Sequence, residues 1–303
     1  MSKRSIQDFK KQFRIKNKKR KKKKLVLQEI FSDDVCFEII SMIDDSWFIL
    51  NNCSLISKQF FNVIKERSKL VIEFKKKFTE KRIKLFMTSQ FMNSIENVKF
   101  SRRLLDSIEQ AKFISEMKQL KSLTIDENGI GDEGAKFISE MKQLTSLSVY
   151  YNQIGDEGAK SISEMNQLTS LDISGNQIGD EGAKSIIEVK QLTSLDIYFN
   201  QIGEEGAKFI SGMNQLTSLD ISGNRIGDEG AKSISGMNQL TSLNVYNNRI
   251  GDEGAKSIID MKQLKSLNIG GNRIGDEEAK SISEMKQLTS LDISNNRIGD
   301  EEA

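Results

Sequence analysis

From Leu120 onward the apolar positions return with a period of 24 residues. In the copy that runs from Leu168 to Gln191, Leu171 and Ile173 are two apart with polar residues between them. That alternation places both on one face of a short strand. Asn176 and then Ile178-Gly179 follow as a turn. Ala183, Ile186 and Val189, spaced i, i+3, i+6, form the narrow apolar stripe of a helix. Asp180 suits the N-cap of that helix, and Glu181 in the first turn suits its dipole. Gly182 and Ala183 are small enough to let the helix press on the strand layer. The phrase begins again at Leu120, Leu144, Leu168, Leu192, Leu216, Leu240, Leu264 and Leu288. A fixed period in this range predicts a solenoid. One copy has too few apolar side chains to offset the entropy of ordering it. Stacked copies cover each other's open faces and share ladder hydrogen bonds.

One polar column never changes: Asn128, Asn152, Asn176, Asn200, Asn224, Asn248, Asn272 and Asn296. A buried turn leaves backbone donors and acceptors that need partners. One amide supplies two donors and an acceptor. The column therefore reads as a structural ladder that ties successive turns together.

Ahead of the repeats the pattern differs. Residues 25–74 read as a small all-α module. Val35, Ile39 and Met42 fall at helical spacing, as do Leu50, Cys53 and Ser57, followed by Phe60 and Phe61. Asp33 and Asp34 sit where a first helix would start. Leu70-Val71-Ile72 reads equally as a strand or a helix end. Residues 75–119 read as a linker helix, with Ile83, Phe86, Met87 and Phe91 at helical spacing, and a degenerate capping repeat. Ile95, Val98 and Phe100 suggest its strand, and Ala111, Ile114 and Met117 its helix, while Arg103-Leu104-Leu105-Asp106 departs from the repeat turn. Residues 120–303 hold eight repeats, the last stopping part-way into its helix.

Strand positions that point away from the core carry the candidate chemistry. One column is serine, from Ser122 to Ser290. The next includes Asp172, Asp196 and Asp220, and the third alternates Tyr150, Ser174, Tyr198, Ser222 and Tyr246. Tyr151 and Phe199 add aromatic area one position later. With strands about 4.8 Å apart, the tyrosines should stand ~9–10 Å from one another. Tyr150, Tyr151, Asp172, Asp196, Tyr198, Phe199, Asp220 and Tyr246 thus form a candidate site for a basic peptide or helix of a protein target. The helix column Lys112–Lys280 reads as a solvated outer face. Arg225, Arg249, Arg273 and Arg297 stand where earlier copies have glutamine.

Charge divides the chain. Residues 1–103 hold 26 Lys/Arg against 11 Asp/Glu, and residues 104–303 hold 19 against 32. Much of the positive share lies in Lys16–Lys24, within an arm (residues 1–24) that self-repulsion should keep disordered. The run fits a solvated arm or a nuclear-import signal, and would attract nucleic acid only non-specifically, having no interleaved aromatics. The expected location is cytoplasmic or nuclear. Cys36 and Cys53 read as core thiols in a reduced compartment. No apolar run suggests a membrane span or signal core. The sequence has no histidine, which removes the commonest general base and metal ligand. The Asp-Glu pairs recur in every copy as helix starts, and no phosphate-binding Gly-rich loop is present. The expectation is a binding protein, not an enzyme, with no metal and no cofactor.

The repeat motif, L-x-x-L-x-I-x-x-N-x-I-G-x-x-G-A, resembles the leucine-rich repeat of the ribonuclease-inhibitor-like subclass. Its length and Gly-Ala-Lys phrase are similar to the short GALA-type variant. The resemblance covers residues ~95–303 and implies an α/β solenoid, a horseshoe with a parallel inner sheet and outer helices. Upstream, Phe31-Ser32-Asp33-Asp34, Ile43-Asp44 and Ile56-Ser57-Lys58-Gln59-Phe60 resemble an F-box. Ser32 stands where that family has Pro, and Phe60 where it has Trp. The resemblance implies a Skp-type adaptor of an SCF-type ubiquitin ligase as partner, contacted by Phe31, Ser32, Asp34, Val35, Ile39, Ile56 and Phe60. The implied function is substrate recognition for that ligase. A free-standing scaffold or inhibitor is the alternative, and a Ran-type GTPase activator a weaker one.

Overall fold

The computed structural model describes residues 71–74, 95–105 and 108–299. The basic arm, Cys36 and Cys53, the linker-helix pattern and every F-box-like position from Phe31 to Phe60 lie outside the described residues.

Among the described residues, ten strands lie side by side in chain order, all parallel, in one open sheet. They are β1 (Val71–Phe74), β2 (Asn97–Phe100), β3 (Ser122–Thr124), β4 (Ser146–Ser148), β5 (Ser170–Asp172), β6 (Ser194–Asp196), β7 (Ser218–Asp220), β8 (Ser242–Asn244), β9 (Ser266–Asn268) and β10 (Ser290–Asp292). From β3 onward, residues 24 apart are partners, as in Leu171↔Leu195. The ladder runs past each short strand: Ile173 N–H donates to the Asp196 carbonyl at 2.9 Å, and Gly175 N–H to the Tyr198 carbonyl at 2.8 Å. Each copy therefore satisfies its backbone through its neighbours.

The sheet begins one strand before Ile95. Val71–Phe74 pairs with Asn97–Phe100, and the Phe74 ring stacks on Phe100 at 5.2 Å. Of the two readings of Leu70-Val71-Ile72, the strand holds from Val71. Its backbone pairs along the side of β2 that would otherwise be left open.

Eight described helices alternate with the strands: α1 (Ile108–Ser115), α2 (Gly131–Ser139), α3 (Asp156–Ile162), α4 (Asp180–Ile186), α5 (Glu204–Ile210), α6 (Gly227–Ser235), α7 (Asp252–Ile259) and α8 (Asp276–Ser283). Each gives way to tight three-residue turns, such as Val189 N–H to the Ile186 carbonyl at 3.0 Å. Leu171, Ile173, Ile178, Ala183, Ile186 and Val189 are all buried. With their counterparts they form one continuous core from Phe74 to Met285. The α/β solenoid follows from that continuity.

The caps differ from the sequence expectation. Gly179, not Asp180, stands at the N-cap of α4, in extended backbone and with no side-chain cap. Asp180 Oδ1 instead accepts the N–H groups of Gly203 (2.8 Å) and Gly206 (3.0 Å), at the start of the next helix. Asp132, Asp156 and Asp228 act likewise on the helices that follow theirs. The reason is stacking: the first turn of one helix lies against the free donors of the next. Glycine at 206 keeps this double acceptance, since a Cβ there would lie 2.5 Å from Asp180 Oδ1.

The two irregular helix starts follow the two gaps in this row. The sequence has Ile108 and Glu204 where other copies have Asp. The next helices, α2 and α6, begin one residue early at Gly131 (φ +60°) and Gly227 (φ +59°). Their N–H groups turn to the carbonyls of Asn152 (2.9 Å) and Asn248 (3.1 Å). Glycine makes the left-handed conformation inexpensive.

Candidate functional site

The central leucine of each inner strand faces the core, and its neighbours face the open side. Strand pairing brings Asp172, Asp196 and Asp220 into one row. The outer two are held. Asp172 Oδ1 accepts the Ser174 N–H at 3.1 Å, and its Oδ2 lies 3.3 Å from Ser148 Oγ. Asp220 Oδ1 accepts from Ser222 N–H and hydroxyl at 2.9 and 2.6 Å, and Oδ2 from Asn244 Nδ2 at 2.8 Å. The Asp196 carboxylate, between them, accepts no hydrogen bond from the described residues. Burial, reinforced by the charges of Asp172 and Asp220, pushes its carboxyl up to about 6. Burial also raises Asp172, against the bonds from Ser174.

The aromatic side chains approach more closely than strand spacing implies. Tyr150 and Tyr198 belong to copies two apart, yet their ring centroids are 5.7 Å from each other. The intervening copy offers only Ser174 and Gly175, so the rings lean across it. Tyr151 packs edge-on to Tyr150 at 4.5 Å and Phe199 edge-on to Tyr198 at 5.6 Å, completing a four-ring cluster. Tyr246 stands apart from that cluster and lies against Gly271, where a Cβ would come within 2.9 Å of its ring. Burial and the hydrogen bond with Tyr150 hold the Tyr198 hydroxyl well above the usual phenol range.

Tyr151 (φ +53°) and Phe199 (φ +48°) occupy left-handed backbone, which bulky residues rarely adopt. Each covers a glycine of the next copy, Gly175 or Gly223, and each remains half exposed, at 50% and 51%. The alternation with Gly175, Gly223 and Gly271 was the available sequence signal for this conformation. Two positioning groups carried no clear signal. Asp126 Oδ1 accepts the Ser148 hydroxyl (2.6 Å) and the Tyr150 N–H (3.2 Å). Ser174 Oγ accepts the Tyr198 N–H at 3.2 Å.

Behind this face lies the Asn row. Asn176 Oδ1 accepts the N–H groups of Asn152 (2.9 Å) and Ile154 (3.0 Å). Its Nδ2 donates to the carbonyls of Val149, Ile173 and Ser174 at 2.9–3.1 Å. Asn152, Asn200, Asn224, Asn248 and Asn272 are likewise buried, while Asn128 and Asn296, at the ends, are less so.

Toward the C-terminal half the open face forms a shallow hollow of about 370 Å³, lined by Asp196, Asp220, Asn244, Asn268, Asp292 and the intervening serines and leucines. Its polar lining is unlike the largely apolar pocket that encloses a small ligand. Among the described residues no group of three or more His, Cys, Asp or Glu is placed to hold a metal ion. No helix among them is long and apolar enough to cross a membrane. The arrangement offers aromatic area, one unpaired carboxylate and hydrogen-bonding groups, which suits binding a partner.

No curated protein matches the chain. Among solved structures, an internalin of Listeria monocytogenes superposes with a TM-score of 0.53 at 21% identity, over 79% of this chain and 84% of that one. The leucine-rich-repeat ectodomain of an Arabidopsis receptor kinase, solved with a peptide hormone, gives a TM-score of 0.49 at 20% identity, over 62% of this chain and 32% of that one. A plant ice-binding protein gives 0.49 at 20% identity, over 68% and 66%. At these identities the internalin likeness is one of fold. The sequence model of the leucine rich repeat matches residues 118–178, 190–250 and 242–298, more than half of the chain. With the in-register parallel sheet and the continuous leucine core, that match places the chain in the leucine-rich repeat family.

Proposed function

We propose that this chain recognises a protein target on its open sheet face and presents it to an SCF-type ubiquitin ligase. A leucine-rich-repeat solenoid fits a protein–protein interaction scaffold, and a target is the natural occupant of its open face. The observation that carries the reading is the four-ring cluster beside the unpaired Asp196. Rigid aromatic rings give contact area at small entropic cost, and a carboxylate without a partner favours a basic side chain. A basic peptide or helix of the target, laid along Tyr150, Tyr198 and Phe199 with a cation on Asp196, satisfies both. Tyr151, Asp172, Asp220 and Tyr246 border the same surface.

The link to the ligase rests on the F-box resemblance of Phe31–Phe60. In this reading Phe31, Ser32, Asp34, Val35, Ile39, Ile56 and Phe60 meet a Skp-type adaptor. The GALA-type, ribonuclease-inhibitor-like character of the repeats belongs to the same reading, as does entry to the nucleus through Lys16–Lys24. The test is co-purification from cells. The full chain is expected to bring down a Skp-type adaptor and a target. Deletion of residues 31–64 should lose the adaptor and keep the target. Tyr198→Ala with Asp196→Ala should do the reverse without lowering the melting temperature. Adaptor binding that survives the deletion, or never occurs, leaves a free-standing scaffold and removes the ligase role. Target capture unchanged by the face substitutions removes the site.

A further inference from the structure

Four arginines fill one repeat position in succession: Arg225, Arg249, Arg273 and Arg297, where earlier copies carry Gln153, Gln177 and Gln201. The position directly follows the Asn of each turn, and all four are exposed. Three of the four turns stack through a direct backbone bond, while Arg249 takes left-handed backbone (φ +63°). Arg225 N–H donates to the Ile202 carbonyl at 2.9 Å, Arg273 N–H to Ile250 at 2.7 Å, and Arg297 N–H to Ile274 at 2.9 Å. Copies stacked this way lie roughly 5 Å apart, so the row is about 15 Å long.

The row lacks counter-charges of its own. None of the four forms an ion pair among the described residues. By contrast Lys184, Lys208, Lys232 and Lys256 on the helix face each pair with the glutamate three residues earlier. Arg102 pairs with Glu127 at 2.9 Å. Neighbouring guanidinium groups repel, and a guanidinium cannot relieve this by losing its proton. An anion that bridges two of them removes the repulsion and gains bidentate hydrogen bonds.

We infer that this turn edge is a second interaction surface, for an extended acidic peptide segment. Side chains on one face of an extended peptide recur about every 7 Å, so two or three carboxylates span the row. A long polyanion is disfavoured, because residues 104–303 hold 32 Asp/Glu against 19 Lys/Arg and repel it along its length. A short segment laid on the row contacts the arginines directly, while Asp228, Asp252 and Asp276, three residues further on, are taken up by N–H groups of the next copy. The row begins two residues beyond Gly223, which Phe199 covers, so it borders the aromatic face; the inference rests on the arginines and does not depend on the function proposed above.

The test uses the full chain and an octa-glutamate peptide bearing a fluorophore and a photo-crosslinker, at about 50 mM salt, where surface charges are weakly screened. The variant combines Arg225→Gln, Arg249→Gln, Arg273→Gln and Arg297→Gln. Glutamine is native to the earlier copies, so the fold should persist, and an unchanged melting temperature checks it. Affinity is expected to fall about tenfold, the combined effect of several exposed pairs. Crosslinks should fall between residues 223 and 299 in the parent chain. The opposite variant, Gln153→Arg with Gln177→Arg and Gln201→Arg, lengthens the row and should tighten binding. Unchanged affinity in either variant, crosslinks confined to Lys16–Lys24, or tighter binding of an oligouridylate of equal charge through the same arginines would each overturn the inference.

Discussion

The inner turn and the open sheet face share one 24-residue period but treat polar groups in opposite ways. In the turn, Asn176 uses both donors and its acceptor in five hydrogen bonds at 2.9–3.1 Å. On the face, Asp196 has Asp172 and Asp220 beside it and its carboxyl is pushed up to about 6. The turn residue is the same in every copy, whereas the face residue varies. A polar group that is buried and fully satisfied holds the stack together. A polar group left without a partner on an open surface costs stability, and is suited to meeting something else.

The sharpest way to break this contrast is Asn176→Ala. It strands two buried N–H groups and removes a donor from three carbonyls, and should cost about 3–5 kcal/mol. Urea denaturation measures this, and a loss under about 1 kcal/mol would show that the turns stand without the amide. The inter-helix caps come next. Asp180→Ala should cost about 1–2 kcal/mol, and Glu204→Asp, which fills the gap in the row, should gain about 1 kcal/mol. In Glu204→Asp the amides of Gly227 and Gly230 should exchange more slowly with deuterium. No change at those amides would mean that side-chain length does not set the irregular start of α6.

On the face the expected effects are smaller and of opposite sign. Because folding raises the Asp196 pKa, the folded state holds that proton more tightly than the unfolded chain. Stability should therefore fall as pH rises from the ordinary carboxylate range through about 6, and change no further from this group above that. Asp196→Asn should raise the melting temperature by about 2 °C at pH 7.5 and leave it unchanged near pH 3, a modest effect because the group is partly exposed. A lower melting temperature at pH 7.5 would place Asp196 among the structural groups. Capture of a basic partner should weaken as pH falls through the same window. Least of all, Phe199→Asn relieves a left-handed backbone while losing ring contact, and should shift stability by no more than about 0.5 kcal/mol. A drop above 1 kcal/mol in calorimetry would make that ring part of the fold rather than of its binding surface.

The repeat boundaries, the strand and helix of each copy and their apolar faces were legible because a solenoid repeats one local solution. Leu171 and Ile186 recur every 24 residues, so their burial could be read from spacing alone. The Asp column was visible, but its target was not. Asp180 looks like a cap for its own helix, and only stacking reveals that Gly203 and Gly206 receive it. The aromatic face was legible as a set of residues and not as a shape. Strand spacing put Tyr150 and Tyr198 far apart, while the small Ser174 and Gly175 between them let the rings meet at 5.7 Å.

Period, apolar columns and residue identity thus determined what each copy is: a strand, a turn and a short helix that cannot be stable alone. Tertiary structure decided which distant groups the turn amides and cap carboxylates meet, because those partners lie 22 to 27 residues away in a neighbouring copy. A period specifies that copies lie side by side, but not the few tenths of an ångström and the side-chain tilt on which hydrogen bonds and ring contacts depend.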